Sequence, residues 1–347
     1  MLQGKQRFIN MNDEIDENIN TTLKVKKTIF QAGLFFFLLM ILELPAARLV
    51  KTVQGMFPDD KSVLISILMT QGYLLLCAIV FILVTGRHVK KDLNMRSYKL
   101  STFFLSLLIL ITASPMAAVL NLISQLFVSN DVSMAIFEVT KSVPPVAAVL
   151  IIGCLPGFIE ELIYRGIMYS SFRKYSILTG AVVSALSFGL MHMNFNQIPY
   201  AIYLGLIFAF IVEATGSIFS TMILNMLFNA FNTAYLILLP KLFDWLEKMG
   251  QGTGMSMEDA LNQQVTKEQI SVSLSFWGPG AVLGTMLVIL IIRKISEING
   301  NSLTWSRICE KNFDENEENA VNVKPVNVFL ILGWLFCIAI SIAQALI

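Results

Sequence analysis

Charge is what this sequence has least of. Asp, Glu, Lys and Arg make up 14% of the 347 residues and balance to +1, where a soluble globule carries about 25% charged residues. So thin and even a charge offers no basic surface for nucleic acid. Cysteine is scarce too. Cys77, Cys154, Cys309 and Cys337 form no CxxC pair, and three of them fall in apolar runs. They read as small hydrophobes, which excludes a cysteine zinc site and a disulfide framework. The N-terminal stretch "NMNDEIDENINTTLKVKK" has no early apolar run, which excludes a cleaved signal peptide there. Histidine occurs only twice, and His88 lies in the basic stretch "GRHVKK", where it reads as solvated.

Apolar residues fill the space left by charge. The chain is 55% hydrophobic with a mean hydropathy of +0.68, spread over its whole length. That pattern describes an all-α polytopic membrane protein. A membrane-crossing helix needs roughly 17–25 mostly apolar residues, and about nine runs qualify. They lie near 29–50, 62–85, 100–128, 144–172, 177–194, 198–213, 217–240, 276–296 and 326–346. Eight or nine crossings are therefore expected, with the sixth short enough to tilt or re-enter.

The organisation that follows is a polar cytoplasmic segment 1–28, N-terminal spans within 29–143 and a core at 144–240. A polar extracytoplasmic loop 241–275 and C-terminal spans within 276–347 complete it. In the first loop, Ser256 and Asp259 of "SMEDALNQQV" resemble a capping box opening a surface helix. The loop 297–325 carries the acidic run "FDENEEN" and reads as solvated. Lys and Arg concentrate in 1–28, 86–99, 173–176 and 293–325 and are sparse in the alternate loops, which places the N-terminus in the cytoplasm. "GPGAVLG" near 278–284 contains a GxxxG and reads as close helix packing.

Against this background, "GFIEELIYRG" at 157–166 stands out, with two glutamates and an arginine inside an apolar run. Ionisable residues within spans face the bundle interior and mark function. Glu160, Glu161, Arg165 and His192, with the amides Asn225 and Asn229, form the intramembrane polar set. Glu160, His192, Asn225 and Asn229 lie roughly 8–15 residues, or about 12–23 Å, from the cytoplasmic ends of their helices at 1.5 Å per residue. Groups at such similar depth can line one cavity.

Spacing divides their labour. Glu161 and Arg165 are i,i+4 and can pair on one face. Glu160 is turned about 100° away, free to face water as a general base or acid. His192 can orient that water or donate to a developing oxyanion. Asn225 and Asn229, again i,i+4, are neutral donors suited to an oxyanion hole. Together these parts suit water-activated peptide hydrolysis inside the bilayer.

At these residues the chain resembles the CPBP intramembrane proteases, which comprise the Rce-type CAAX prenyl endopeptidases and the bacteriocin-processing or self-immunity (Abi) proteins. EExxxR is present as Glu160, Glu161 and Arg165, and FxxxH as Phe188 and His192. A "TGS" turn at 215–217 precedes "ILNMLFNAFN", which sets Asn225 where the family has its second histidine and Asn229 where it has asparagine. The resemblance covers about residues 144–240. It implies a CAAX-protease-like helical core open toward the cytosol, Glu160 activating water with help from His192, and Asn229 on the oxyanion. It implies membrane-associated substrates, prenylated or leader peptides, and a bacterial plasma membrane. The metalloprotease label of the family implies zinc, for which Glu160 or Glu161 and His192 are the available ligands, one fewer than the three protein ligands of a usual catalytic site. With Asn225 in place of a histidine, a catalytically impaired member that binds peptide or confers immunity is the second reading. A proton-coupled transporter is the third, and it expects internal repeats that the sequence does not show.

Overall fold

A computed structural model describes residues 2–128, 131–249, 266–301, 303–313 and 322–346. All regular structure among them is helical. Helix α1 spans Leu2–Gln54, α2 Asp59–Thr85, α3 Val89–Asp92, α4 Leu100–Ser124 and α5 Asp131–Ser142. The continuous helix Pro145–Phe172 is α6. Then follow α7 Ile177–Leu190, α8 Ile198–Thr215, α9 Phe219–Lys248, α10 Lys267–Ile298, α11 Trp305–Cys309 and α12 Val328–Ala345. Among the described residues, eight helices are long and apolar enough to cross a membrane: α1, α2, α4, α6, α8, α9, α10 and α12. The ninth expected run, 177–194, becomes the 14-residue α7, about 21 Å at 1.5 Å per residue, against a hydrocarbon core of about 30 Å.

The chain crosses back and forth so that 86–99, 173–176, 214–218 and 299–313 meet at one end. Ile218 N donates to Asn94 O at 3.0 Å, Asn301 Nδ2 to Ala214 O at 3.1 Å, and Asn312 Nδ2 to Arg173 O at 2.7 Å. At the other end Asn121 Nδ2 of α4 donates to Asn196 Oδ1 in the α7–α8 turn at 2.8 Å.

Helix α8 is the centre of the bundle. Its span window is 56% buried, more than any other candidate span. Ala201, Ala209 and Val212 join the cluster formed by α1, α2, α6, α7 and α12. Leu204, Ile207, Phe208 and Ile211 join a second cluster with α4 and α10. In lipid, helix pairing relies on close packing and interhelical polar contacts, since exposed side chains are as apolar as the solvent. Gly205 accordingly lies so near Ala185 that a Cβ there would meet its Cα at 2.9 Å.

Several element boundaries differ from the sequence reading. Helix α9 continues through Pro240 and the amphipathic "KLFDWLEK" to Lys248; proline is tolerated in membrane helices where neighbours and local adjustment satisfy the freed carbonyl. Helix α10 begins at Lys267, behind a capping box of Thr266 and Gln269 with bonds of 3.2 and 2.8 Å. The capping box expected at Ser256 and Asp259 lies outside the described residues. Within "FDENEEN" only Phe313 is described, buried against Tyr175 with ring centroids 5.3 Å apart; the acidic residues of the run, expected to be solvated, lie outside the described residues. Of the GxxxG at Gly280 and Gly284, only Gly284 is packed, against Thr112 O of α4, while Gly280 faces open space.

Candidate functional site

Helix α6 carries the glutamates on a short α-helical stretch, Leu155–Glu161, between two π-helical stretches, Val149–Cys154 and Leu162–Tyr169. Pro156 has no N–H for the Ile152 carbonyl, a local reason for the first loosened turn. π-Turns rotate the residues that follow them and recur at functional sites.

A small-residue seam sets α9 against this stretch. A Cβ at Gly153 would sit 2.7 Å from Ala230 Cα, and one at Gly157 would sit 2.6 Å from Met226 N. This GxxxG, "GCLPG" at 153–157, is the close-packing motif of the core. The start of α9 is fixed separately. Gly216 takes φ +70° to end α8, and the Thr215 hydroxyl accepts from Ser217 N at 3.2 Å. Ser217 Oγ then donates to Arg96 O.

These contacts bring Asn225 onto both carboxylates. Its Nδ2 lies 3.1 Å from Glu160 Oε2 and 3.1 Å from Glu161 Oε1. An amide nitrogen carries two hydrogens, so both are committed here, and the amide is not turned toward an oxyanion position. Arg165 Nη1 donates to Glu161 Oε1 at 2.6 Å, with both side chains 0% exposed. Arg165 Nη2 reaches Gly205 O at 3.3 Å, and the guanidinium lies over the Phe188 and Phe208 rings at 4.5 and 5.2 Å. Glu160 differs from Glu161. It keeps 8% exposure, and its Oε1 has no protein donor among the described residues.

His192 lies in the turn that follows α7 and not on a span helix. Helix α7 ends at Leu190, Met193 takes φ +48°, and Asn194 Oδ1 accepts from Asn196 N at 2.9 Å, the side-chain turn that replaces the helical ladder. His192 Nδ1 is 2.9 Å from Phe188 O. A carbonyl only accepts, so this nitrogen carries the hydrogen and Nε2 of the neutral ring has its lone pair free. Phe188 joins the parts, its ring lying 5.2 Å from that of His192, edge-on, and 5.3 Å from that of Tyr164. No hydrogen bond links His192 to Glu160 among the described residues. Asn229 stands one turn beyond Asn225, half-buried, with no side-chain bond to this group.

Metal is poorly served by this arrangement. Glu161 Oε1 is taken by Arg165 and Asn225 and its Oε2 is sealed from solvent, which leaves Glu160 and His192 as the donors that solvent can reach. Among the described residues no three His, Cys, Asp or Glu side chains gather as a metal site. Among the described residues, the site offers fewer protein ligands than the three of a usual catalytic zinc.

A second polar cluster involves a residue that span reading passes over. Glu213, in the last turn of α8, accepts from Tyr169 Oη at 2.7 Å and from Arg173 Nη2 at 2.6 Å, with Arg307 Nη2 3.8 Å away. Its partners lie 40, 44 and 94 residues off, and the only sequence signal is an unexplained carboxylate at the end of an apolar run.

Fold and site together define an all-helical, multi-pass membrane protein with a buried paired-carboxylate centre. Residues 142–231 match the family model described as Rce1-like, type II CAAX prenyl endopeptidase. The match supports the CPBP/Rce1-type family, and with it a CAAX-protease-like intramembrane endopeptidase at family level. No curated protein and no solved structure matches the chain.

Proposed function

We propose that the protein hydrolyses a peptide bond of a membrane-associated or lipidated peptide, either prenylated or a leader, with Glu160 as general base on water. The observation that carries this reading is the asymmetry of the two glutamates. Glu161 is fully enclosed, its Oε1 taken by Arg165 and Asn225 and its Oε2 sealed from solvent without a partner among the described residues. Glu160 has one oxygen held by Asn225 and the other without a protein donor among the described residues, and it keeps 8% exposure where Glu161 has none. A carboxylate fixed through one oxygen presents the other in a defined direction, as proton abstraction from water requires.

In this scheme the Nε2 lone pair of His192 accepts from the same water and helps orient it. The Asn229 amide, uncommitted to the carboxylates, is the donor for the oxyanion. Asn225 positions Glu160. The reaction needs no zinc, in keeping with the donor set. The basic loops meeting at one end of the bundle support the N-terminus-in orientation, and we place the protein in a bacterial plasma membrane.

The test is cleavage in lipid vesicles. Wild type and Glu160→Gln are incubated with prenylated and leader-like peptides, and products are read by mass spectrometry. Cleavage by wild type alone is expected; equal cleavage by both removes Glu160 from the role of base. One observation favours a second reading, a catalytically silent peptide-binding or immunity protein: Asn225, in the place of a family histidine, cannot take a proton at neutral pH. Wild type silent, with Asn225→His active, would establish that reading.

A further inference from the structure

Helix α7 starts behind Ser176 at the loop end of the bundle and is about 21 Å long, against a hydrocarbon core of about 30 Å. The turn after it, which carries His192, therefore lies at membrane depth. Non-helical backbone is tolerated there only where the protein itself encloses and satisfies it. Asn194 supplies part of what is needed, its Oδ1 accepting from Asn196 N at 2.9 Å and from Gln197 N at 3.3 Å. Met193 takes φ +48°, a conformation disfavoured for a residue with a Cβ and kept only where the surroundings impose it. On the α7 side the turn is pinned at Gly189, where a Cβ would stand 2.4 Å from Ile202 Cγ1 of α8.

The other side is pinned by side chains at the end of α4. Gln125 Nε2 donates to Asn121 Oδ1 at 2.6 Å, and Asn121 Nδ2 donates to Asn196 Oδ1 at 2.8 Å. Asn196 is fully buried, and its Nδ2 has no partner among the described residues. The bond from Asn121 is thus the one side-chain hydrogen bond that orients this amide among the described residues. Helix α4 does not depend on it for its place in the bundle. Ile109 and Ala113 pack it against α8 and α10, and Thr112 O meets Gly284. What the amide pair adds is a fixed position for the α7–α8 turn. Between the two pins, His192 Nδ1 donates to Phe188 O at 2.9 Å, so the direction of Nε2 depends on where the turn sits.

We propose that Asn121 is a positioning residue for His192, acting through Asn196. Its amide holds the turn in the shape that seats the imidazole against Phe188 with Nδ1 protonated and the Nε2 lone pair free. The catalytic value of that seat rests on the hydrolytic reading above, in which Nε2 accepts from the water; the fixed ring itself does not rest on it. With the Asn121 bond lost, both ends of the buried Asn196 amide lack partners, a costly state that the turn relieves by moving. Met193 then relaxes toward negative φ, and the imidazole leaves Phe188 O and exchanges between tautomers. Asn121→Asp keeps the tie by a different route. The Asn196 amide turns over, and its Nδ2 donates to the new carboxylate, which still accepts from Gln125.

The test uses the full-length protein in lipid, with isotope-labelled histidine rings read by NMR at a pH where they are neutral. The chain has two histidines, and exposed His88 before α3 is the internal reference. Wild type is expected to show His192 as a single tautomer with the hydrogen on Nδ1. Asn121→Leu is expected to move both ring nitrogens of His192 toward the averaged shifts of exchanging tautomers, to leave His88 unmoved, and to unfold near the wild-type temperature. Its kcat on a cleaved peptide should fall about 10–100-fold with KM within about twofold. Asn121→Asp should keep the wild-type ring signature and restore most of kcat. Should Asn121→Leu fail to fold, Gln125→Leu, which frees the Asn121 amide to turn, decides by the same signature. The proposal is overturned if Asn121→Leu keeps the wild-type ring signature, whatever its unfolding temperature, because Asn121 is then only a tie between helices. It is equally overturned if Asn121→Asp disturbs the ring as much as Asn121→Leu does. A wild type that cleaves none of the peptides counts against the hydrolytic reading alone, and the ring signature still decides whether Asn121 positions His192.

Discussion

Gly157 of α6 lies against the peptide bond between Asn225 and Met226 of α9, so closely that a Cβ would stand 2.6 Å from Met226 N and 2.9 Å from the Asn225 carbonyl carbon. The backbone that glycine admits is the backbone that carries Asn225 to the carboxylates. Packing and chemistry meet at this contact.

Gly157→Ala therefore pushes α9 away from α6. Overpacking of this kind costs about 1–3 kcal/mol, read as a fall in thermal unfolding temperature in detergent. Cleavage should fall with it, since the 3.1 Å bonds of Asn225 stretch. Gly278→Ala, in open space on α10, should stay within about 1 kcal/mol of wild type. Equal effects at the two glycines would show that the close contact does not matter.

The two glutamates are expected to separate stability from activity. Glu161→Gln leaves Arg165 charged, fully buried and without its anion, a defect of about 3–5 kcal/mol. Its yield of folded protein should drop, and replacing Arg165 by Met in the same chain should restore part of it. Glu160→Gln keeps a group that accepts from Asn225, so folding should be near wild type while cleavage falls about 10²–10⁴-fold. A wild-type yield for Glu161→Gln contradicts the structural role of the ion pair.

Much of this was legible in the sequence. The apolar runs foretell the spans, because length and hydropathy alone decide whether a helix can cross. The i,i+4 spacing of Glu161 and Arg165 foretells their pairing, because both lie on one helix and need no tertiary knowledge. The π-stretches around the glutamates are not legible, since they are changes in backbone hydrogen bonding that leave the apolar pattern intact. The position of His192 in a turn follows from the Asn194 side chain, whose local bonds compete with the helix, and from the positive φ of Met193, while the apolar residues interleaved here, Leu190, Met191, Met193 and Phe195, conceal it. "GCLPG" shows its spacing openly, but only the approach of Met226 and Ala230 distinguishes it from Gly280 and Gly284, where half the motif faces empty space. Glu213 gains meaning only through partners far along the chain.

Zinc dependence gives a direct check on the donor set. With Glu161 paired to Arg165 and sealed from solvent, Glu160 and His192 are the ligands left at the site among the described residues, short of the three that catalytic zinc uses. Cleavage should survive prolonged dialysis against a strong chelator, and metal analysis of the purified protein should find well under one zinc per chain. Loss of activity on chelation with recovery on adding zinc would contradict this and would require a ligand outside the group described.

Glu213 makes the last prediction, about the loop end of the bundle. It accepts from Tyr169 at the foot of α6 and from Arg173 just beyond, and its backbone oxygen lies 3.4 Å from Asn301 Nδ2. Asn312 in turn holds the Arg173 and Tyr175 carbonyls at 2.7 and 2.9 Å. The carboxylate thus ties α6 to α8 and, with Arg307 Nη2 3.8 Å away, reaches the strap of residues 303–313, while Asn301 and Asn312 hold backbone oxygens and not the carboxylate. Glu213→Gln keeps the shape but removes the anion, leaving Arg173 with weaker, neutral bonds. Arg173 is 38% exposed, so water recovers part of the loss, and about 1–3 kcal/mol remains. That loss should appear locally. Backbone amides of 301 and 303–313 should exchange with deuterium faster, by about tenfold for each 1.4 kcal/mol, while amides of α4 and α10 keep wild-type protection. Uniform loss of protection over the whole bundle would instead make Glu213 a determinant of the global fold, and unchanged exchange in the strap would show that Asn301 and Asn312 hold it without the carboxylate.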